Sequence, residues 1–107
     1  MLRKTQRLTK AGFDTYFKVG KRIHHPLLQL IYAPHKNFHG SVVVGKKVSK
    51  KAVIRNLLRR RVYGQLYRWS QEGGRTGVHI IILKPAAQSA TKKQIAEALD
   101  STLARIS

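Results

Sequence analysis

Apolar and polar positions along the chain fall into six segments with distinct periodicity. Thr9 is placed to cap a short helix over Lys10–Val19, and Gly20 supplies its stop. Leu27–Ala33 is an apolar run closed by Pro34 and reads as a strand; Ser41–Lys46 reads as a second. The connection Pro34–Gly40 between them is short, which predicts an antiparallel hairpin. Ser49 predicts the N-cap of a long helix reaching about Ser70, ended by Glu72-Gly73-Gly74. Val78–Leu83 is nearly continuous aliphatic sequence, the pattern of a central strand buried on both faces, and Pro85 stops it. Thr91-Lys92-Lys93-Gln94 fits a capping box opening a last helix with the stripe Ile95, Leu99, Leu103 and Ile106. The order α-β-β-α-β-α predicts an α+β sandwich with helices against a small sheet. No repeat, low-complexity tract or linker divides the chain, so residues 1–107 read as one domain.

Composition changes the picture through charge. At 107 residues the chain can bury roughly two thirds of its unfolded surface, and a hydrophobic fraction of 42% suffices for one modest core. Against that stand 22 Lys and Arg, four carboxylates and a net charge of +18. Such a field repels itself in the compact state and attracts polyanions, which points to nucleic acid or an anionic membrane. A spanning helix is excluded, because Leu27–Ala33 and Val78–Leu83 fall far short of the ~18 residues it needs. Met1-Leu2-Arg3-Lys4 has no apolar run behind it, so no secretory signal is read and a cytoplasmic location is the expectation. With no cysteine, disulfides and thiolate zinc sites are excluded.

The acids are Asp14, Glu72, Glu97 and Asp100, and only the last two are close in sequence. Two-metal hydrolysis needs several carboxylates converging on ions ~3.5–4 Å apart, and four scattered acids are poor material for it. Glu97 and Asp100 read instead as decoration of a solvated helix face, with Lys93 placed for an i,i+4 pair with Glu97. The informative segment is Lys46–Arg61, with eight Lys or Arg in sixteen residues and no acid. On a helical wheel Ile54, Leu58, Val62, Leu66 and Trp69 share the face that packs on the sheet. Roughly opposite lie Ala52, Asn56, Arg59, Arg60, Tyr63 and Tyr67, with Arg55 at the border. Arginine forks, an amide and phenols suit a phosphate backbone. A merely solvated face usually mixes signs, and this one does not.

The stretch from Ser41-Val42-Val43-Val44-Gly45-Lys46-Lys47 to Arg55-Asn56-Leu57-Leu58-Arg59-Arg60 resembles the protein subunit of bacterial ribonuclease P. Leu8-Thr9-Lys10-Ala11-Gly12-Phe13 through Phe17 is similar to that family's first helix, and Val78–Lys84 to its late aliphatic strand. The likeness runs from about Arg7 to Lys84, with a compatible C-terminal helix. It implies a ribosomal-protein S5 domain 2-like fold with a left-handed β-α-β crossover, an exception to the usual hand. It implies as partners a catalytic RNA and precursor tRNA, with no further protein required. The RNA and its Mg²⁺ ions would carry the endonucleolytic removal of the 5′ leader, and the protein would hold no catalytic residue. Carried over by position, Lys46, Lys47, Lys50, Lys51, Arg55, Asn56, Arg59 and Arg60 would contact the catalytic RNA. Phe13 and Phe17 would line the leader cleft, where rings contact unpaired nucleotides with little sequence preference. Read from the residues alone, two Phe at i,i+4 are equally a core contact.

The chain departs from the pattern at Leu57, where a third residue of an Arg-Asn-Arg triplet is usual, and at Tyr63, where an arginine is common. Arg61 offers a neighbouring cation. An aromatic in the first strand's cleft-facing phase falls on Ile31 or, one residue on, Tyr32; the two face opposite sides. His24, His25, His35, His39 and His79 carry no metal-ligand spacing on a helix, and His79 reads as a strand start. The competing readings are a basic ribosomal protein of similar fold class and a free-standing non-specific nucleic-acid binder.

Overall fold

The strand Gly77–Leu83 lies inside a four-stranded sheet and is buried along nearly its whole length, as its unbroken aliphatic sequence demands. The computed structural model describes residues 8–73 and 75–106; Met1-Leu2-Arg3-Lys4 lies outside them. The elements are α1 (Lys10–Val19), β1 (Lys21–His24), β2 (Leu28–Ala33), β3 (Phe38–Val43), α2 (Ala52–Gln71), β4 (Gly77–Leu83) and α3 (Lys92–Ala104). A 3-10 turn, Pro85–Ser89, follows β4.

Strand order is β1-β2-β4-β3. β2 pairs antiparallel with β4, β3 pairs parallel with β4, and α2 makes the crossover between the parallel pair. The expected hairpin between the second and third strands is therefore corrected, because β4 lies between them. A strand apolar on both faces needs a layer on each, and the middle of the sheet supplies it: α2 and α3 cover one face of β4 and α1 the other, while β2 and β3 pair with its edges. The true hairpin is β1–β2, with Lys21 opposite Tyr32 and His24 opposite Gln29. β1 carries no alternating signal because only Ile23 of its four residues is buried.

Alternation sorts the sheet into two cores. Leu28, Leu30, Val42, Ile81 and Leu83 face α2 and α3 and meet Leu58, Val62, Leu66, Ile95, Leu99 and Leu103. Ile31, Ala33, Val78 and Ile80 face α1 and meet Phe13, Tyr16 and Phe17. Gly20 lets α1 turn directly onto β2: a Cβ there would run into the Ile31 side chain and lie 2.8 Å from the Tyr16 carbonyl. Gly77, at φ +107°, opens β4 in the region only glycine adopts without strain.

Local details move some expected boundaries. α1 keeps its predicted ends, with Thr9 Oγ1 accepting the Gly12 N–H at 3.1 Å. The capping box forms as read: the Thr91 N–H donates to Gln94 Oε1 at 2.8 Å and the Gln94 N–H to Thr91 Oγ1 at 3.1 Å. α2, however, starts at Ala52 with Lys51 as an uncapped N-cap. Ser49 instead accepts the Lys51 N–H at 3.2 Å in the turn before it. Ile54 is 39% exposed, not a core residue, since the buried stripe begins one turn later at Leu58.

Candidate nucleic-acid interface

No acid occurs between Asp14 and Glu72, so β1, β2, β3 and α2 carry their cations without an internal counter-charge. The lead-in to α2 concentrates the effect. Lys46, Lys47, Lys50 and Lys51 are all exposed, and the first turn of α2 contains no acid and no side-chain cap. A helix N-terminus carries roughly half a positive charge and four unsatisfied N–H groups. Lysines placed there are repelled, so this end of the protein is unfavourable until an anion arrives.

The signature residues divide by what they touch. Arg55 is half-buried, and its Nη1 donates to the carbonyls of Ser49 and Lys50, both at 3.0 Å, which ties the lysine-bearing turn to the helix. Arg59 Nη1 donates to Asn56 Oδ1 at 2.6 Å, so guanidinium and amide are held as one unit one turn apart. Arg60 and Arg61 are exposed. Val53, Ile54 and Leu57 leave an apolar patch among these cations, and Leu57 is 39% exposed.

Tyr63 and Tyr67 do not stand on the free face as expected; both pack against the α2–sheet core. The Tyr63 hydroxyl accepts the Val42 N–H at 3.1 Å. β3 is an edge strand, and this N–H points outward from it, so Tyr63 satisfies a donor the sheet leaves open. An arginine could not accept that bond.

On the opposite face of the sheet α1 covers β2 and β4. The register aligns Gln29, Ile82 and Val43 in one row and Ile31, Ile80 and Ser41 in the next. Gln29, Ile82, Val43 and Ser41 are half-buried, so the floor beside α1 is open toward β3. Phe13 and Phe17 stack with centroids 5.6 Å apart and are half-buried against this layer. Arg22 sits 4.6 Å from the Phe17 ring centroid and donates to the Phe17 carbonyl at 2.7 Å, closing the negative end of α1 with a cation. The two phenylalanines are thus packing residues that keep part of each ring exposed beside the open strip of β4 and β3. Ile31 faces this side and Tyr32 the other, which settles the strand phase. At the rim, the His35 and His39 rings meet edge-on at 4.7 Å, with Tyr16 6.3 Å from His35. Among the described residues no three metal-ligating side chains gather, and no helix is long and apolar enough to cross a membrane.

His79 is not at a strand start but fully buried in β4, a position its aliphatic neighbours could have signalled. Its ring lies 5.0–5.2 Å from those of Phe38, Tyr32 and Trp69. Burial pushes its pKa down to about 4; backbone groups of Gly77 and His39 oppose the shift, and the Arg75 guanidinium adds to it. Neither ring nitrogen completes a hydrogen bond of ordinary geometry.

Fold and surface together define a small basic α+β protein whose cations gather at one helix start, with half-buried aromatics of α1 on the other face of the sheet. Asp14 lies on α1, Glu72 at the end of α2, and Glu97 and Asp100 on α3; Glu72 and Asp100 line one hollow, and the four do not converge. The chain belongs to the ribonuclease P protein family, whose model, described as Ribonuclease P, matches residues 2–107. It is similar to the Ribonuclease P protein component of Prochlorococcus marinus (strain MIT 9303), at 34% identity, with 92% of this chain and 83% of that one covered. The Staphylococcus aureus RNase P protein superposes with a TM-score of 0.84 at 22% identity over 96% of both chains. A mutant of the S. aureus protein superposes at 0.85 and 24% identity, over 96% of this chain and 89% of that one. At such identity the two structures establish the fold.

Proposed function

We propose that this protein binds the RNA subunit of ribonuclease P through α2 and its lead-in, and holds the 5′ leader of precursor tRNA in the cleft beside α1. The observation that carries the reading is the uncapped, acid-free and lysine-flanked start of α2. RNA phosphates supply what that end lacks: acceptors for the open N–H groups and charge for Lys46, Lys47, Lys50, Lys51 and Arg60. The Asn56–Arg59 unit presents further donors in fixed geometry to the same backbone. Across the sheet, Phe13 and Phe17 offer ring edges and the half-buried strip of β4 and β3 offers a floor to unpaired nucleotides. β3 separates the two surfaces, so one rigid sheet would set the distance between catalytic RNA and leader.

Hydrolysis belongs, in this reading, to the RNA and to Mg²⁺ held by it; the protein contributes position and counter-charge. The test pairs two variants. Arg59→Ala with Arg60→Ala removes two cations and no core side chain, and should weaken assembly with the RNA subunit. Phe17→Ala should leave assembly nearly intact and reduce the preference for precursor over mature tRNA, because it removes the ring edge placed against the leader strand. Melting temperature is read beside binding. If the arginine pair binds RNA as the unaltered protein does, or Phe17→Ala stays folded and keeps full discrimination, the corresponding surface is wrongly assigned.

A further inference from the structure

We propose that the groove between α2 and α3 is a second binding site for RNA phosphates, separate from the lead-in of α2. The inference rests on the reading of the protein as a partner of ribonuclease P RNA. The groove holds about 220 Å³ and is rimmed by Arg61, Arg68 and Lys92 over a floor that includes Val62 and Ile95, with Arg60 standing where it meets the α2 surface already assigned. Arg61 and Arg68 are two helical turns apart, about 10 Å, so they flank a length of backbone and not a single ion.

Three features show a groove kept open for an anion. Gly64 lines it from the interior of α2, where glycine is among the least favourable residues. Its backbone is not in the positive-φ region, and a Cβ would meet only Arg68 Nη1, at 3.6 Å. Neither conformation nor close packing requires glycine there; a longer side chain would fill the space between the cations. Second, Lys92 and Lys93 open α3, whose first turn has no acid, so cations stand at the positive end of the helix. Third, of the two acids in the hollow that adjoins Arg68, Glu72 and Asp100, neither lines the groove, and Asp100 is held by Gln65 of the groove wall. Gln65 Nε2 donates to Asp100 Oδ1 at 2.9 Å and to the Ala96 carbonyl at 2.8 Å, a clamp that also fixes the spacing of the two helices. A second copy of this chain would bring its own +18 charge to the same face, whereas an RNA backbone is complementary to it.

The test is the salt dependence of binding to ribonuclease P RNA, with melting temperature measured alongside. Arg68 and Lys92 are exposed, so Arg68→Ala with Lys92→Ala leaves the core intact. That variant should bind more weakly, and its log–log salt slope should fall by about 0.7–0.9 for each phosphate no longer neutralised. The charge-preserving pair Arg68→Lys with Lys92→Arg should keep the slope. Gly64→Ala should bind normally, while Gly64→Leu, with every charge retained, should bind more weakly. Unchanged affinity and slope in Arg68→Ala with Lys92→Ala, alongside the expected weakening in Arg59→Ala with Arg60→Ala, overturns the groove alone. Failure of the unaltered protein to bind that RNA selectively overturns the functional reading and the groove with it.

Discussion

Acid should destabilise this protein through one residue. His79 is fully buried among Phe38, Tyr32 and Trp69, and its pKa stands at about 4 instead of 6.5. In the unfolded chain the imidazole takes up a proton near the ordinary value, whereas in the folded protein it stays neutral until about pH 4. The unfolded state therefore binds more protons between these values, and stability falls as pH falls. Full stability is present above about pH 6.5; the loss accumulates toward pH 4 and levels off below it. A difference of about 2.5 pH units at 1.36 kcal/mol each gives about 3 kcal/mol, a large share of the stability of a small domain. The assay is urea unfolding of the protein and of His79→Leu at matched ionic strength from pH 7.5 to 4. Leucine fills a similar volume without titrating, so its profile should lack about 3 kcal/mol of the fall. Parallel profiles for the two proteins would refute the argument, because His79 would then accept its proton in place.

Two further predictions concern the edge strand and the charge field. Tyr63→Phe removes the acceptor of the Val42 N–H, and should lower stability by about 1 kcal/mol and speed amide exchange at Val42. Sulfate should raise the melting temperature more than chloride at equal ionic strength, because an anion bound to the folded cationic face stabilises it by mass action; equal effects would mean screening alone.

Elements with complete local signals were legible in the sequence. Thr9 and Gly20 bracket α1, the capping box marks α3, and the aliphatic run announces β4 as central. Pairing was not legible, because loop length favours joining neighbouring strands and says nothing of a later strand inserted between them. β1 escaped notice for want of alternation, with one buried residue in four. The cations of α2 were found from charge alone. The division of labour among them was hidden, since Arg55 folds onto the carbonyls of Ser49 and Lys50 only once the preceding turn exists. Tyr63 was assigned to the phosphate face because a helical wheel gives an angle and not a neighbour. Its bond depends on β3 being an edge, which only the assembled sheet reveals.

The central claim is that this protein assists a reaction carried by RNA. It is tested most directly by 5′ processing of a precursor tRNA at low Mg²⁺, with the RNA subunit alone, the protein alone, and both. The protein alone should leave the substrate intact, and the two together should cleave at the mature 5′ end where the RNA alone is nearly inactive. Cleavage by the protein alone that follows it through purification, or no gain when it joins the RNA, would contradict an accessory role.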